Sequence, residues 1–160
     1  MRIIEGCLIE AFKRGEVDVL AHQVNCQGKM NSGIAKAIRE EWPEHYEDYM
    51  SECERHNNFK LTPLGTEVYT DVSTPKGTGR IVGLFSQDRY GYDGQRYTNY
   101  NALALSLYHT CLQAERGSLI GIPFKLGCDR GGGNWDFVSE LITDTEKRFR
   151  GLEFVAYKKV

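Results

Sequence analysis

The chain has 160 residues, of which 41% are hydrophobic and 26% charged, and a formal net charge of −2. That length lets a single domain bury a core of its own, and the composition excludes a disordered or fibrous chain. The near-neutral balance, with no block of like charge, argues against a surface built to coat nucleic acid.

Five cysteines, Cys7, Cys26, Cys53, Cys111 and Cys128, are widely spaced with no CxxC pair. They predict reduced thiols in a cytoplasmic compartment rather than a disulfide framework or a zinc site. The first residues lack the apolar core and small-residue cleavage site of a secretory signal. No stretch approaches the roughly 20 apolar residues of a membrane span. A soluble cytoplasmic protein with no membrane partner is expected.

Residues 1–9 read as a first strand with its exit, and 17–25 as a nearly continuous apolar run suited to an interior strand. A loop follows over 28–33, with Asn31 or Ser32 as cap of the next helix. Ile34, Ile38 and Trp42 lie on one face of that helix, and Pro43 ends or kinks it before a second, acidic helix over 44–56. Residues 65–72 and 79–87 read as strands joined through Thr74-Pro75-Lys76-Gly77. Residues 86–97, polar and aromatic, read as a loop. A helix is expected over 99–116, with Leu103, Leu107 and Cys111 on its buried stripe and Gly117 as its stop. Residues 118–124 form another interior strand, 127–133 a second glycine-containing loop, and Asn134 caps a helix carrying Trp135, Val138, Leu141 and Ile142 inward. Residues 152–157 close the chain as a strand. The order, ββαββαβαβ give or take a short element, predicts an α/β fold with a mixed central sheet between helices.

Ligands of such folds sit beyond the carboxyl ends of strands, where both glycine-containing loops begin. Four of the seven residues 127–133 are glycine, which leaves backbone N–H groups uncovered as an anion nest at a helix N-terminus. A flexible strand-to-helix turn is the competing reading. No Gly-Lys-Ser/Thr follows, so this is not a P-loop. Asn25, at a strand end, has an amide that suits a sugar hydroxyl, although Asn25 and Asn31 equally suit turn backbone. His22 reads as a core histidine, and His45, His56 and His109 as structural or exposed. Cys128 lies at the nest, where amide dipoles would lower its pKa, with a small buried thiol as the plainer reading.

Three segments, Ala21-His-Gln-Val-Asn-Cys-Gln-Gly28 leading to Gly33-Ile-Ala35, Ile122-Pro-Phe-Lys-Leu-Gly-Cys128, and Gly131-Gly-Gly-Asn-Trp135, together resemble the macrodomain family. The similarity is to the branch of ADP-ribose-1″-phosphate phosphatases and terminal ADP-ribose glycohydrolases. It implies a three-layer αβα sandwich, with residues 1–160 as a single domain, and ADP-ribose or ADP-ribose-1″-phosphate as ligand. It implies that Cys7, Leu8 and Ile9 lie by the adenine, with Tyr157 as a further adenine neighbour. Gln23, Val24 and Asn25 would approach the terminal ribose. Met30, Asn31, Ser32, Gly33, Ile34 and Ala35 would form the first diphosphate loop. Lys125, Leu126, Gly127, Cys128, Asp129, Arg130, Gly131 and Gly132 would form the second.

Three positions depart from the pattern. Cys7 replaces the acid that receives the adenine amino group, Arg39 stands where the glycohydrolases carry a lysine nucleophile, and Gly131 stands where they carry an acid. A covalent glycohydrolase route is therefore not expected. The leading expectation is hydrolysis of ADP-ribose-1″-phosphate. Asn25 and Asn31 would fix the ribose, Asp129 or Asp88 would act as general base, and neither metal nor cofactor would be needed. The alternatives are a non-catalytic ADP-ribose reader and a substrate-assisted ADP-ribosyl hydrolase. Nucleic acid is a partner only where it carries ADP-ribose, and the oligomeric state is left open.

Overall fold

Two apolar runs, buried nearly continuously on both faces, set the geometry of the middle of the sheet. In β2 (Val19–Asn25), Val19 and Ala21 face one core cluster while Leu20 and Val24 face the other side. In β4 (Gly77–Gln87), Val82 and Leu84 face the first cluster, and Ile81 and Phe85 the opposite face. Both strands therefore need cover on two sides, which only a three-layer arrangement gives.

The computed structural model describes residues 1–91 and 93–160. The remaining elements are β1 (Arg2–Glu5), α1 (Leu8–Lys13), α2 (Gly33–Glu41), α3 (Pro43–Asn58), β3 (Glu67–Thr74), α4 (Tyr100–Gln113), β5 (Leu119–Pro123), α5 (Trp135–Arg148) and β6 (Glu153–Lys158). The six-stranded sheet runs β1-β6-β5-β2-β4-β3. All neighbouring pairs are parallel except the β3–β4 hairpin. α4 and α5 cover one face through Leu103, Leu107, Val138 and Ile142. α1, α2 and α3 cover the other through Leu8, Phe12, Ile38 and Tyr49. The mixed-sheet sandwich expected from the sequence is the observed architecture. No helix of the described residues is long and apolar enough to cross a membrane.

Two expectations need correction. Residues 1–9 hold the expected strand, but its exit is short and a helix was missed. The strand ends at Glu5, and Leu8 and Ile9 open helix α1, which buries Leu8, Ala11 and Phe12 at helical spacing. The hairpin is also placed differently: β3 keeps the expected length but lies two positions later, and β4 starts two residues earlier, so the strands meet at Thr74↔Gly77 around the two residues Pro75 and Lys76.

Two features of the sheet shape the ground below the expected site. A bulge in the β2–β4 ladder pairs Val24 with Phe85 but Asn25 with Gln87, which turns both polar residues to the strand ends. Beneath them lies a buried polar chain. The Thr70 hydroxyl donates to Asp48 Oδ2 (2.6 Å) and so accepts from His45 Nδ1 (2.8 Å). His45 Nε2 is then the bare nitrogen that accepts from His22 Nε2 at 2.9 Å. His22 Nδ1 is left buried with no hydrogen-bond partner. His22 is thus the core histidine expected, and His45 and His56, buried as well, take the structural rather than the exposed alternative.

Candidate functional site

At the carboxyl ends of β2, β4 and β5 lies a cleft of about 520 Å³ between the two glycine-containing loops. The first loop contributes residues 31–35 and the second contributes 125–127 and 129–131. Gln23, Val24 and Asn25 line it from β2.

The first wall ends in the N-terminus of α2. Ser32 holds the N-cap position, yet its side chain makes no capping bond, and no acid lies in the first turn. Asn99 and Asn134, by contrast, cap α4 and α5 through bonds from Ala102 N and Phe137 N. The first amides of α2 thus have no side-chain cap and face the cleft, where their dipole and N–H groups suit an anion.

Asn25 takes the turn-backbone role, one of the two the sequence left open for it. Its Oδ1 accepts from Gln27 N (2.9 Å), Lys29 N (3.4 Å) and the Tyr49 hydroxyl (2.8 Å), while its Nδ2 donates to Lys29 O (2.9 Å). The side chain is largely consumed in shaping residues 25–29, leaving one Nδ2 hydrogen for a ligand. The single Tyr49 hydroxyl proton is shared between that Oδ1 and Asn25 O at 2.6 Å, and the oxygen accepts from Lys29 N at 3.1 Å. Burial raises its phenol pKa and keeps it a neutral donor. Tyr49→Phe is expected to lower stability by about 1–2 kcal/mol and ligand affinity by about tenfold. Urea denaturation and calorimetry check this, and unchanged affinity would remove Tyr49 from the account.

The floor is a chain of neutral hydrogen bonds. Ser86 Oγ donates to Gln23 Oε1 (2.7 Å), and Gln23 Nε2 donates to Gln87 Oε1 (2.8 Å) and Thr98 Oγ1 (3.0 Å). Thr98 Oγ1 then donates to Gly127 O at 2.7 Å, and the Tyr97 and Thr98 amides both donate to Gly131 O. This clamp holds the second loop against β4. A Cβ at Gly131 would meet Thr98 Oγ1, Gly127 O (2.7 Å) and Gln23 Nε2 (2.8 Å), so the backbone approach needs glycine.

The comparisons agree on the architecture. No known family model matches the sequence. An ADP-ribose 1″-phosphate phosphatase of Meyerozyma guilliermondii is 26% identical over 98 residues, 57% of this chain and 55% of that protein. A DNA ADP-ribosyl glycohydrolase of Thermus aquaticus is 26% identical over all 160 residues, which is 41% of its own length. The chain thus spans about half or less of these curated relatives. The macrodomain of Mycobacterium tuberculosis DarG superposes with a TM-score of 0.77 at 21% identity, over 98% of this chain and 95% of that one. The chain folds as a macrodomain.

Within this macrodomain the expected ligand residues divide into groups. Those named above line the cleft. Cys7, Leu8, Ile9 and Tyr157 do not. Leu8 is in the core cluster that Ile9, Tyr157 and the cleft-lining Ile34 pack against, which puts these residues beside one end of the cleft, whereas Cys7 is exposed at the N-cap of α1. Met30 is not a surface loop residue: its side chain is fully buried with Tyr49 and Phe85. Gly132 and Cys128 also stay out of the lining. The Cys128 thiol donates to Leu126 O, and burial pushes it up to about 11, against the lowering expected from amide dipoles. Asp88 is exposed outside the lining, and its carbonyl accepts from Cys26 N. Arg39 is likewise outside the lining. It donates to Asn31 Oδ1 (3.1 Å) and stacks 3.8 Å from the Tyr46 centroid. Asn31 Oδ1 is thereby engaged.

Sequence reasoning missed Lys29, Gln87, Tyr90, Gly91, Pro123 and Phe124 as lining residues. Gln87 was legible only through the bulge that turns it, and Tyr90 only through the path of residues 88–97. Lys29 lies inside the first loop and could have been found from its basic side chain between Asn25 and Asn31.

Proposed function

We propose that this macrodomain binds ADP-ribose or a close derivative and hydrolyses the phosphate ester of ADP-ribose-1″-phosphate. The observation that carries the binding is the pairing of the uncapped α2 N-terminus with the glycine loop 125–131 across one cleft. Both present backbone N–H groups, and together they suit a diphosphate. Lys29, Lys125 and Arg130 add positive side chains to the lining. The apolar end at Ile34, Ile9 and Tyr157 suits adenine, and the polar end at Asn25 suits the terminal ribose. The names of the two relatives, each built on ADP-ribose, support this ligand.

Asp129 is the one carboxylate among the described lining residues, and no histidine or cysteine joins it. It is therefore assigned as the general base. It takes a proton from water as the water oxygen attacks phosphorus, and the P–O ester bond breaks so that the ester oxygen departs with the ribose and is protonated from solvent, leaving inorganic phosphate. Lys29 and Arg130 offset the charge on the transferring phosphoryl group.

Asp129→Asn is expected to lower phosphate release from ADP-ribose-1″-phosphate by about a hundredfold or more while ADP-ribose binding is kept. Inorganic phosphate assay and calorimetry read the two separately. Binding without turnover in the unmodified chain would make it a reader of ADP-ribose. Gly131, whose backbone leaves no room for the acid that glycohydrolases carry there, weighs against a glycohydrolase route.

A further inference from the structure

We infer that the outer end of the cleft carries a second anion subsite, formed by Lys125 and Lys158 around Phe124, that takes a phosphate borne on the adenosine ribose. The inference rests on the ADP-ribose reading, which puts adenosine at this end.

Phe124 lines the cleft, and its ring packs edge-on against Trp135 at 5.1 Å. Two ammonium groups sit over that one ring, Lys125 Nζ at 5.8 Å and Lys158 Nζ at 5.2 Å from the centroid. The quadrupole of this half-buried phenyl ring attracts each cation only weakly. Neither lysine forms an ion pair with a carboxylate among the described residues. Glu5, the register neighbour of Lys158 on β1, makes no such pair with it. An anion shared by the two ammonium groups completes the arrangement.

The backbone points the same way. Lys125 has φ +60°, one of two non-glycine residues among those described in the left-handed region. The conformation costs about 1 kcal/mol for a residue with a Cβ. The same loop uses glycine at 127, 131, 132 and 133, so the lysine is a costly choice at the position where glycine would be easiest. The Phe124 amide donates to Tyr157 O at 2.9 Å, which fixes the segment bearing Lys125 beside the one bearing Lys158.

The shared ligand chemistry is an adenosine ribose carrying phosphate. It arises as a 2′-monoester in dinucleotide-derived ligands or at the 3′ position in nucleic-acid-derived ones. Calorimetry at low salt compares ADP-ribose with ADP-ribose 2′-phosphate. A competition arm compares AMP with adenosine 3′,5′-bisphosphate as displacers of ADP-ribose. A gain of about tenfold from the added phosphate is expected in at least one arm, falling as salt rises. The arm that gains assigns the position. Lys158→Gln, outside the cleft lining, is expected to remove most of the gain and leave ADP-ribose affinity unchanged.

Equal affinities with and without the phosphate in both arms would overturn the subsite while leaving ADP-ribose binding intact. A gain untouched by Lys158→Gln would overturn it as well. Failure of ADP-ribose itself to bind would instead remove the reading beneath.

Discussion

Gly131→Ala is expected to weaken ADP-ribose binding by about ten- to a hundredfold. Gly131 is not among the glycines held at positive φ, so the effect is steric rather than torsional. The added methyl would press on Gly127 O at 2.7 Å and Gln23 Nε2 at 2.8 Å, and on the Thr98 hydroxyl that clamps the loop. A carbonyl oxygen of the main chain cannot rotate aside as a side chain does. Relief requires moving the loop, at a cost of about 1–3 kcal/mol for overpacking of this kind. Gly33→Ala makes the informative contrast. Its Cβ would meet nothing within 4 Å, but its φ is +59°. Only the left-handed penalty of about 1 kcal/mol applies there, or about fivefold in affinity if it falls wholly on the bound form. Dissociation constants for both variants, with melting curves to report on folding, separate the two causes. A Gly131→Ala protein that binds as the parent does would refute the clamp.

Acid is expected to destabilise the fold steeply between pH 6.5 and about pH 4. Burial pushes His45 down to about 4 and His22 well below the ordinary imidazole value, with the neighbouring His45 adding to the effect on His22. Both rings are neutral when folded, whereas the unfolded chain takes up their protons near pH 6.5. Their stabilising contribution is therefore complete above pH 6.5 and is lost as pH falls toward the folded values. For His45 alone the loss approaches about 3 kcal/mol at pH 4, a large part of the roughly 5–15 kcal/mol that holds a typical domain. Protonation of His45 Nε2 also removes the acceptor of the 2.9 Å bond from His22, so the two rings cannot both charge without parting. Urea denaturation at a series of pH values, with His45→Gln alongside, tests this. The variant should show a shallower slope, and parallel profiles would dismiss the pair as the source.

Much of the sheet was legible because its interior strands advertise themselves. Residues 17–25 and 118–124 are apolar on both faces, and Asn134 caps α5 as expected, whereas α4 stops at Gln113 with Ala114 as its C-cap, short of the stop expected at Gly117. Helix α1 was not, since its six residues are too few for a periodic signal to stand out against the strand before it. The two loops were legible from their glycines, but the role of Asn25 was not. An amide at a strand end satisfies a ligand or its own turn equally well, and only Tyr49, 24 positions away, decides for the turn. The His22–His45 bond spans 23 positions and depends on packing α3 against β2, which no local pattern encodes. Met30 looked like loop from its neighbours, yet the chain turns it into the core between Tyr49 and Phe85.

The ties that hold the two cleft walls have a kinetic consequence. Asn25 and Tyr49 brace the first loop, and Thr98 braces the second through Gly127 and Gly131. A ligand meeting such walls has no loop to wait for, so encounter alone governs how often it docks. Related ligands should then arrive at similar rates and differ in how long they stay. Residence time, rather than capture, is where this protein would tell one ADP-ribose derivative from another.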